Sequence, residues 1–263
     1  MRNLTLRTKI AVVRVLCQPF VGKAIALLFR NRIPSKSRRI FTGDRAVKPQ
    51  TVASIYWGFY ERAELGLARK RLRTDLDLVE LGASIGVMAA HLSSRLSRER
   101  HYVAVEANPA LIPLLNRNFC HARPHNSVVA NLAVLSGPEA PPQVDLELGT
   151  MTTGSRLMAA HPGQFRARGT TQKIQVRAVS LSQLLLEHKI DEYVLVCDIE
   201  GAELSILLHD FEALQRCQQM LIELHSVEDR GRRYSVGDLM ALVEGRDGFH
   251  LAARDGNVFL YER

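Results

Sequence analysis

The feature that most constrains this chain is an apolar run that ends on a carboxylate and breaks at once into two spaced glycines, Asp77-Leu-Val-Glu-Leu-Gly-Ala-Ser-Ile-Gly86. A buried strand that turns sharply into an alanine-rich helix reads this way. A second apolar strand, Tyr102 to Val105, ends on Glu106. Strand, tight turn, helix and strand make a βαβ unit, which needs a parallel sheet around it.

Each residue type in that unit has a physical reason. Gly82 has no Cβ, so the backbone can turn tightly and a ligand can come close, and Gly86 lets the helix start near the strand. Glu106 lies 24 residues past Gly82, where the second strand ends beside the first. A carboxylate there can accept both hydroxyl protons of a ribose. A dinucleotide turn, G-x-G-x-x-G, uses its middle glycine to admit a pyrophosphate. Here Ala83 and Ser84 occupy the space between Gly82 and Gly86. Glu80 adds a carboxylate that would repel phosphate but suits an ammonium group. S-adenosylmethionine carries a ribose, an amine and no phosphate, so the pattern favours it over NAD.

The charge is unevenly distributed. Residues 1 to 45 hold eleven Lys and Arg against the single acid Asp44, and the remaining 218 residues hold 24 basic and 26 acidic side chains. The body is near neutral and the basic character belongs to an arm. Residues 9 to 29 are apolar, but Arg14, Gln18, Pro19, Gly22 and Lys23 interrupt them, which argues against a membrane span and against a signal peptide. The arm has two readings. In the preferred one, two short helices broken at Pro19 pack Val13, Leu16, Phe20, Ile25 and Leu28 inward. In the other, a basic amphipathic segment rests on anionic lipid. Cys17, Cys120, Cys197 and Cys217 lie far apart, with no zinc-ligand spacing, and read as reduced thiols of a cytoplasmic protein.

Ile33 to Lys48 reads as a linker, so the arm and linker take residues 1–50 and one α/β domain takes residues 51–263. A helix is expected over Val52 to Arg71, with Glu61 among the aromatics Tyr56, Trp57, Phe59 and Tyr60. Pro109 starts a helix to about His121, and Ser127 to Leu135 reads as a third strand containing Asn131. Val144 to Leu148 and Gln172 to Val179 alternate as an antiparallel excursion. Between them Gly149 to Gly169 reads as a lid, a binding loop or a disordered segment. Ser180 caps a helix, Tyr193 to Asp198 is the most apolar strand, and Gln219 to His225 is another. An Asp255-Gly256 turn joins a final antiparallel hairpin.

Ligands of open parallel sheets bind at the carboxyl ends of the strands. Glu80, Glu106, Asp198, Glu200, Glu223 and His225 fall at or near such ends. Transfer of a methyl group from a sulfonium needs an acceptor oxygen held in line and relieved of its proton. Asp198, Glu200 and His225 are the candidate bases or orienting groups. Grouped Asp, Glu and His can hold Mg or Mn, but no ligand spacing marks a metal site, and none is expected.

Val79-Glu-Leu-Gly-Ala-Ser-Ile-Gly86, Val105-Glu-Ala-Asn-Pro109, Asn131-Leu-Ala133, Leu181-Ser-Gln-Leu184, Val196-Cys-Asp-Ile-Glu-Gly-Ala-Glu203 and Leu221-Ile-Glu-Leu-His225 together resemble the FkbM-type methyltransferases over about residues 55 to 263. Tyr60-Glu61 also looks like that family's Tyr-Glu pair. The resemblance implies a Rossmann-like class I methyltransferase fold, S-adenosylmethionine as donor, and a hydroxyl on a glycan, sugar or secondary metabolite as acceptor. By position it implies Gly82, Ala83, Ser84 and Gly86 around the donor's amino acid end, Glu106 and Ala107 at its ribose and Asn131 at its adenine. Glu61 and Glu80 join the cofactor set. Glu80 and Ser84 stand where the family more often has Asp and Asn. The alternatives are an NAD-dependent oxidoreductase, disfavoured by the missing middle glycine, and a non-catalytic membrane-associated or nucleic-acid-binding relative. Against nucleic acid, the strand ending at Asp198 has no Asn/Asp-Pro-Pro-aromatic run of the kind found in base amino methylation.

Overall fold

The computed structural model describes residues 6–43, 47–119, 126–148, 156–157, 172–245 and 248–263. Cys120 and most of the Gly149–Gly169 loop lie outside them. The chain divides into two units, Met1–Arg62 and Ala63–Arg263.

In the first unit, helices α1 (Leu6–Leu16) and α2 (Pro19–Leu28) precede strands β1 (Arg32–Ser35) and β2 (Arg38–Phe41) and helix α3 (Pro49–Trp57). Pro19 and Pro49 open their helices, where a missing N–H costs nothing. A Cβ on Gly22 would stand 1.7 Å from the Pro49 carbonyl oxygen, so this glycine lets α2 touch the start of α3. The expected linker is instead a hairpin, in which Ile33 and Ile40 face each other, both fully buried. The expected inward packing of the arm also needs correction. Ile25 is buried, but Phe20 and Leu28 are 69% and 74% exposed. Gly58, in the left-handed conformation (φ 69°), ends α3 and splits the single helix expected over Val52 to Arg71.

The second unit continues with α4 (Arg62–Arg71), β3 (Asp77–Leu81), α5 (Val87–Leu92), β4 (His101–Val105), α6 (Ile112–Phe119), β5 (Asn126–Ala130), β6 (Ala133–Val134), β7 (Gln143–Leu148), β8 (Arg156–Leu157) and β9 (Gln172–Val179). Then come α7 (Leu181–Glu187), β10 (Tyr193–Cys197), α8 (Glu203–His209), α9 (Phe211–Arg216), β11 (Cys217–Glu223), β12 (Val227–Asp229), β13 (Arg232–Tyr234), α10 (Val236–Glu244), β14 (His250–Asp255) and β15 (Val258–Glu262). The main sheet has seven strands in the order β14-β15-β11-β10-β3-β4-β5. Its β5, β4, β3, β10 and β11 run parallel, whereas β15 pairs antiparallel with both β11 and β14. Central strands of a parallel sheet have both faces covered and therefore read as unbroken apolar runs. All five residues of β10 are buried.

A second sheet, β6-β9-β7-β8, forms the excursion. Its β7 and β9 pair antiparallel over the whole of β7. The single third strand expected over Ser127 to Leu135 is two strands, because the chain leaves the main sheet at Asn131 to join β9 through Ala133 and Val134. Asp210 holds the seam beside them. Its carboxylate accepts from Leu181 N (2.7 Å), Ser182 N (3.2 Å), Ser182 Oγ (2.6 Å) and the Ser136 hydroxyl. A carboxylate that is 4% exposed has lost its water and needs donors of this kind.

Candidate active site

The glycine turn after β3 is built by backbone bonds to its neighbours. Gly82 and Ala83 N–H both donate to the Val105 carbonyl, at 3.0 and 2.9 Å, and Asp198 N–H donates to the Leu81 carbonyl at 3.0 Å. These bonds draw the ends of β3, β4 and β10 together. Gly82 has φ 84°, and a Cβ there would lie 1.8 Å from the Asp198 carbonyl oxygen. Gly86 (φ 80°) serves packing, since its Cβ would press Leu115 Cδ1 at 2.9 Å and Asn118 Cβ at 3.3 Å. Ser84 takes the left-handed conformation (φ 49°) without being glycine, a strain that clusters at functional turns.

That strain aims the Ser84 N–H at Glu106, whose Oε2 accepts it at 2.8 Å. Glu106 Oε1 accepts from Asn108 N–H at 2.7 Å. Burial pushes the Glu106 carboxyl up, and the backbone N–H groups of Asn108, Ser84 and Ala107 offset part of that rise. A carboxylate has about four lone-pair sites, so these donors leave acceptor capacity for a hydroxyl. Ala107 sits half-buried beside it. The Asn131 amide donates to the carbonyls of Glu106 (2.8 Å) and Ala107 (3.1 Å), bracing this turn and leaving its own carbonyl oxygen for a ligand.

Glu80 departs from its expected role. Its side chain is 3% exposed and its Oε2 accepts the Tyr102 hydroxyl at 2.5 Å. Burial holds this carboxyl protonated, with a pKa of about 8. It is a neutral group inside the sheet rather than an anion displayed at the turn. Glu61 belongs to the first unit, in the left-handed conformation (φ 45°) that follows α3.

The second cluster lies at the ends of β10 and β11. Asp198 follows β10, Glu200 takes φ 56° in the next turn, and Glu203 opens α8 fully buried. His225 Nδ1 lies 3.1 Å from Glu203 Oε1, and its Nε2 lies 3.9 Å from both Glu200 Oε2 and Glu223 Oε1. Glu203 Oε1 also accepts the Ile199 N–H at 3.2 Å. Burial disfavours a charged imidazole, but the hydrogen bond to Glu203 and the surrounding carboxylates outweigh it and hold His225 at about 9. Burial, then the Glu223 charge, pushes Asp198 up to about 8.

The structure thus brings together Asp198, Glu200 and His225, the three expected catalytic residues, and adds Glu203, Glu223 and Glu64. Glu203 had a sequence signal, since it stands five residues after Asp198 where the strand turns into a helix. Glu64 on α4 had none. Its carboxyl hydrogen-bonds to Glu223, and burial first, then that neighbour, raises it to about 7. The arrangement offers a set of proton acceptors and donors directly beside the glycine turn, whose Gly82 packs on the Asp198 backbone.

A strand order with a reversed last but one position, the glycine turn at β3 and the carboxylate after β4 define a methyltransferase-type α/β domain. The FkbM methyltransferase domain model matches residues 80–251, and the chain belongs to this family of methyltransferases. Three solved structures illustrate the likeness. The precorrin-6y C5,15-methyltransferase of Geobacter metallireducens GS-15 is 12% identical (TM-score 0.39), with 77% of this chain and 88% of that one covered. The SAM-dependent methyltransferase of Aquifex aeolicus is 12% identical (TM-score 0.40), covering 77% and 92%. The ribosomal protein L11 methylase of Lactobacillus delbrueckii subsp. bulgaricus is 9% identical (TM-score 0.38), covering 75% and 73%. No curated protein matches the chain.

Proposed function

We propose that this chain transfers the methyl group of S-adenosylmethionine to a hydroxyl oxygen on a glycan, sugar or secondary metabolite. The observation that carries the donor is Glu106. Its carboxylate is held by Ser84 and Asn108 N–H groups at the carboxyl end of β4, with acceptor capacity left for the two ribose hydroxyls. Gly82 and Ala83 line the turn where the amino acid end of the donor lies, and Asn131 offers its carbonyl to the adenine amine.

In the transfer itself, an O–C bond forms as the methyl C–S bond breaks, and the electron pair of that bond neutralises the sulfonium. The acceptor's proton leaves to the Glu200 carboxylate, with Asp198 and His225, the latter held by Glu203, orienting the acceptor oxygen. Positioning supplies much of the rate in such an in-line displacement. The test is formation of S-adenosylhomocysteine with a panel of hydroxyl, amine and thiol acceptors, followed by NMR of the product. A new O-methyl resonance supports the reading. Turnover confined to amines or thiols overturns O-methylation while leaving methyl transfer intact.

A peripheral contact of the first unit with anionic membrane is favoured by its surface. Val15, Phe20, Leu27 and Leu28 are 64%, 69%, 83% and 74% exposed, in a segment whose first 45 residues hold eleven basic side chains. Phe20, Lys23, Leu27 and Leu28 recur at helical spacing on α2, with Gly22 and Ile25 on the buried side. Among the described residues no helix is long and apolar enough to cross a membrane. An exposed apolar face with Lys23 beside it, in a basic segment, fits the surface of an anionic bilayer. Sedimentation with phosphatidylglycerol vesicles should carry the protein down, and phosphatidylcholine vesicles should not. Leu27→Glu with Leu28→Glu should leave it in the supernatant. Equal recovery with both lipids, or unchanged binding by the double variant, overturns this surface.

A further inference from the structure

We infer that Asp198, Glu203 and His225 form a binding site for a divalent cation, of which Mn2+ is the fitting probe. One donor atom from each of the three residues lies within 4.8 Å of the others. Metal–oxygen bonds of about 2.1 Å would span that separation after a small inward shift of the side chains.

Proximity of acids alone would carry little, but two carboxylate oxygens here are orphans. Among the described residues, Asp198 Oδ1 and Glu203 Oε2 are buried with no hydrogen-bond partner. Glu203 is 0% exposed, so nothing in bulk solvent satisfies its second oxygen. A buried carboxylate oxygen without a donor costs about 1–3 kcal/mol or more, and native structures rarely keep one without a use. Two in one cluster call for a shared positive partner.

His225 is within 4.0 Å of Glu200, Glu203 and Glu223, so one imidazole is divided among three carboxylates. Glu64 adds a further carboxyl beside Glu223. A divalent cation would give both orphan oxygens a partner. Two carboxylates and one imidazole suit Mn2+ or Mg2+, and such a set leaves coordination positions open. With methyl transfer as the reaction, an open position would take the acceptor's hydroxyl oxygen, lowering its pKa and holding it for attack. That role rests on the proposed function; the existence of the site does not.

The test is titration of Mn2+ into the full chain, followed by the loss of the free-ion six-line electron paramagnetic resonance signal. One ion should bind per chain, and Mg2+ in excess should release it. Asp198→Asn and Glu203→Gln should each weaken binding at least tenfold, and the surface control Glu187→Gln should not. Circular dichroism of each variant verifies the fold, and if Glu203→Gln fails to fold, Asp198→Asn alone decides. No binding at millimolar Mn2+, or unchanged binding in a folded Asp198→Asn, overturns the site. Calorimetry with S-adenosylmethionine on the same samples separates the two proposals. Donor binding without Mn2+ binding removes only the metal, and Mn2+ binding without donor binding removes only the methyl-transfer reading.

Discussion

The Asp198 carbonyl oxygen lies where a side chain on Gly82 would have to stand, 1.8 Å from the position of its Cβ. Through this contact the turn after β3 and the turn after β10 pack directly, backbone on backbone. The glycine turn and the acidic cluster are therefore adjacent because one residue has no side chain.

Gly82→Ala should accordingly cost stability twice, through the overlap and through φ 84°. Overpacking and a left-handed alanine together amount to about 3 kcal/mol. Gly256→Ala has a similar φ of 65° but nothing within 4 Å, so it should cost only about 1 kcal/mol. Urea midpoints of the two variants measure the difference. Donor binding should be lost in the first and kept in the second.

The Glu80 carboxyl makes stability depend on pH. Its folded pKa of about 8 lies above the ordinary value of 4.5, so the folded state binds the extra proton between them. Stability from this group is full at low pH and falls as pH rises, by at most about 1.4 kcal/mol per pH unit. Glu80→Gln keeps an acceptor for Tyr102 and cannot titrate. Relative to the wild type it should gain stability steadily from about pH 5 to pH 8, as read from denaturation midpoints. A constant difference across that window would contradict the assignment.

Asp210→Ala should be among the most damaging single changes. It strips the acceptor from four donors, two of them backbone N–H groups at the start of α7. Loss of a buried charged acceptor of this kind costs about 3 kcal/mol or more. Asp210→Asn, which keeps one oxygen, should fall between it and the wild type in melting temperature.

What could be read from the sequence was what its residues encode locally. Gly82, Gly86 and Glu106 fall within one βαβ unit, so their spacing carried the turn and the carboxylate beside it. Asp198 and His225 could be placed because each ends an apolar strand. The hairpin of Ile33 and Ile40 was hidden because Pro34 and Ser35, ordinary loop residues, lie inside β1. Asn131 looked like part of one strand because apolar residues flank it on both sides, and only the partner strands reveal the change of sheet. Glu64 meets Glu223 through a long-range contact between α4 and the end of β11 that no local pattern records. Glu80 reads the same whether it faces a ligand or Tyr102, since a strand's period gives the face and not the neighbour.

The central claim is that the turn at Gly82 and the carboxylate of Glu106 hold S-adenosylmethionine. Calorimetric titration of the purified chain with S-adenosylmethionine, S-adenosylhomocysteine and NAD, repeated on Glu106→Ala, tests it most directly. The first two should bind, NAD should not, and Glu106→Ala should weaken both nucleosides about a hundredfold while remaining folded. Binding of NAD alone, no binding of either nucleoside, or full affinity in Glu106→Ala would contradict it.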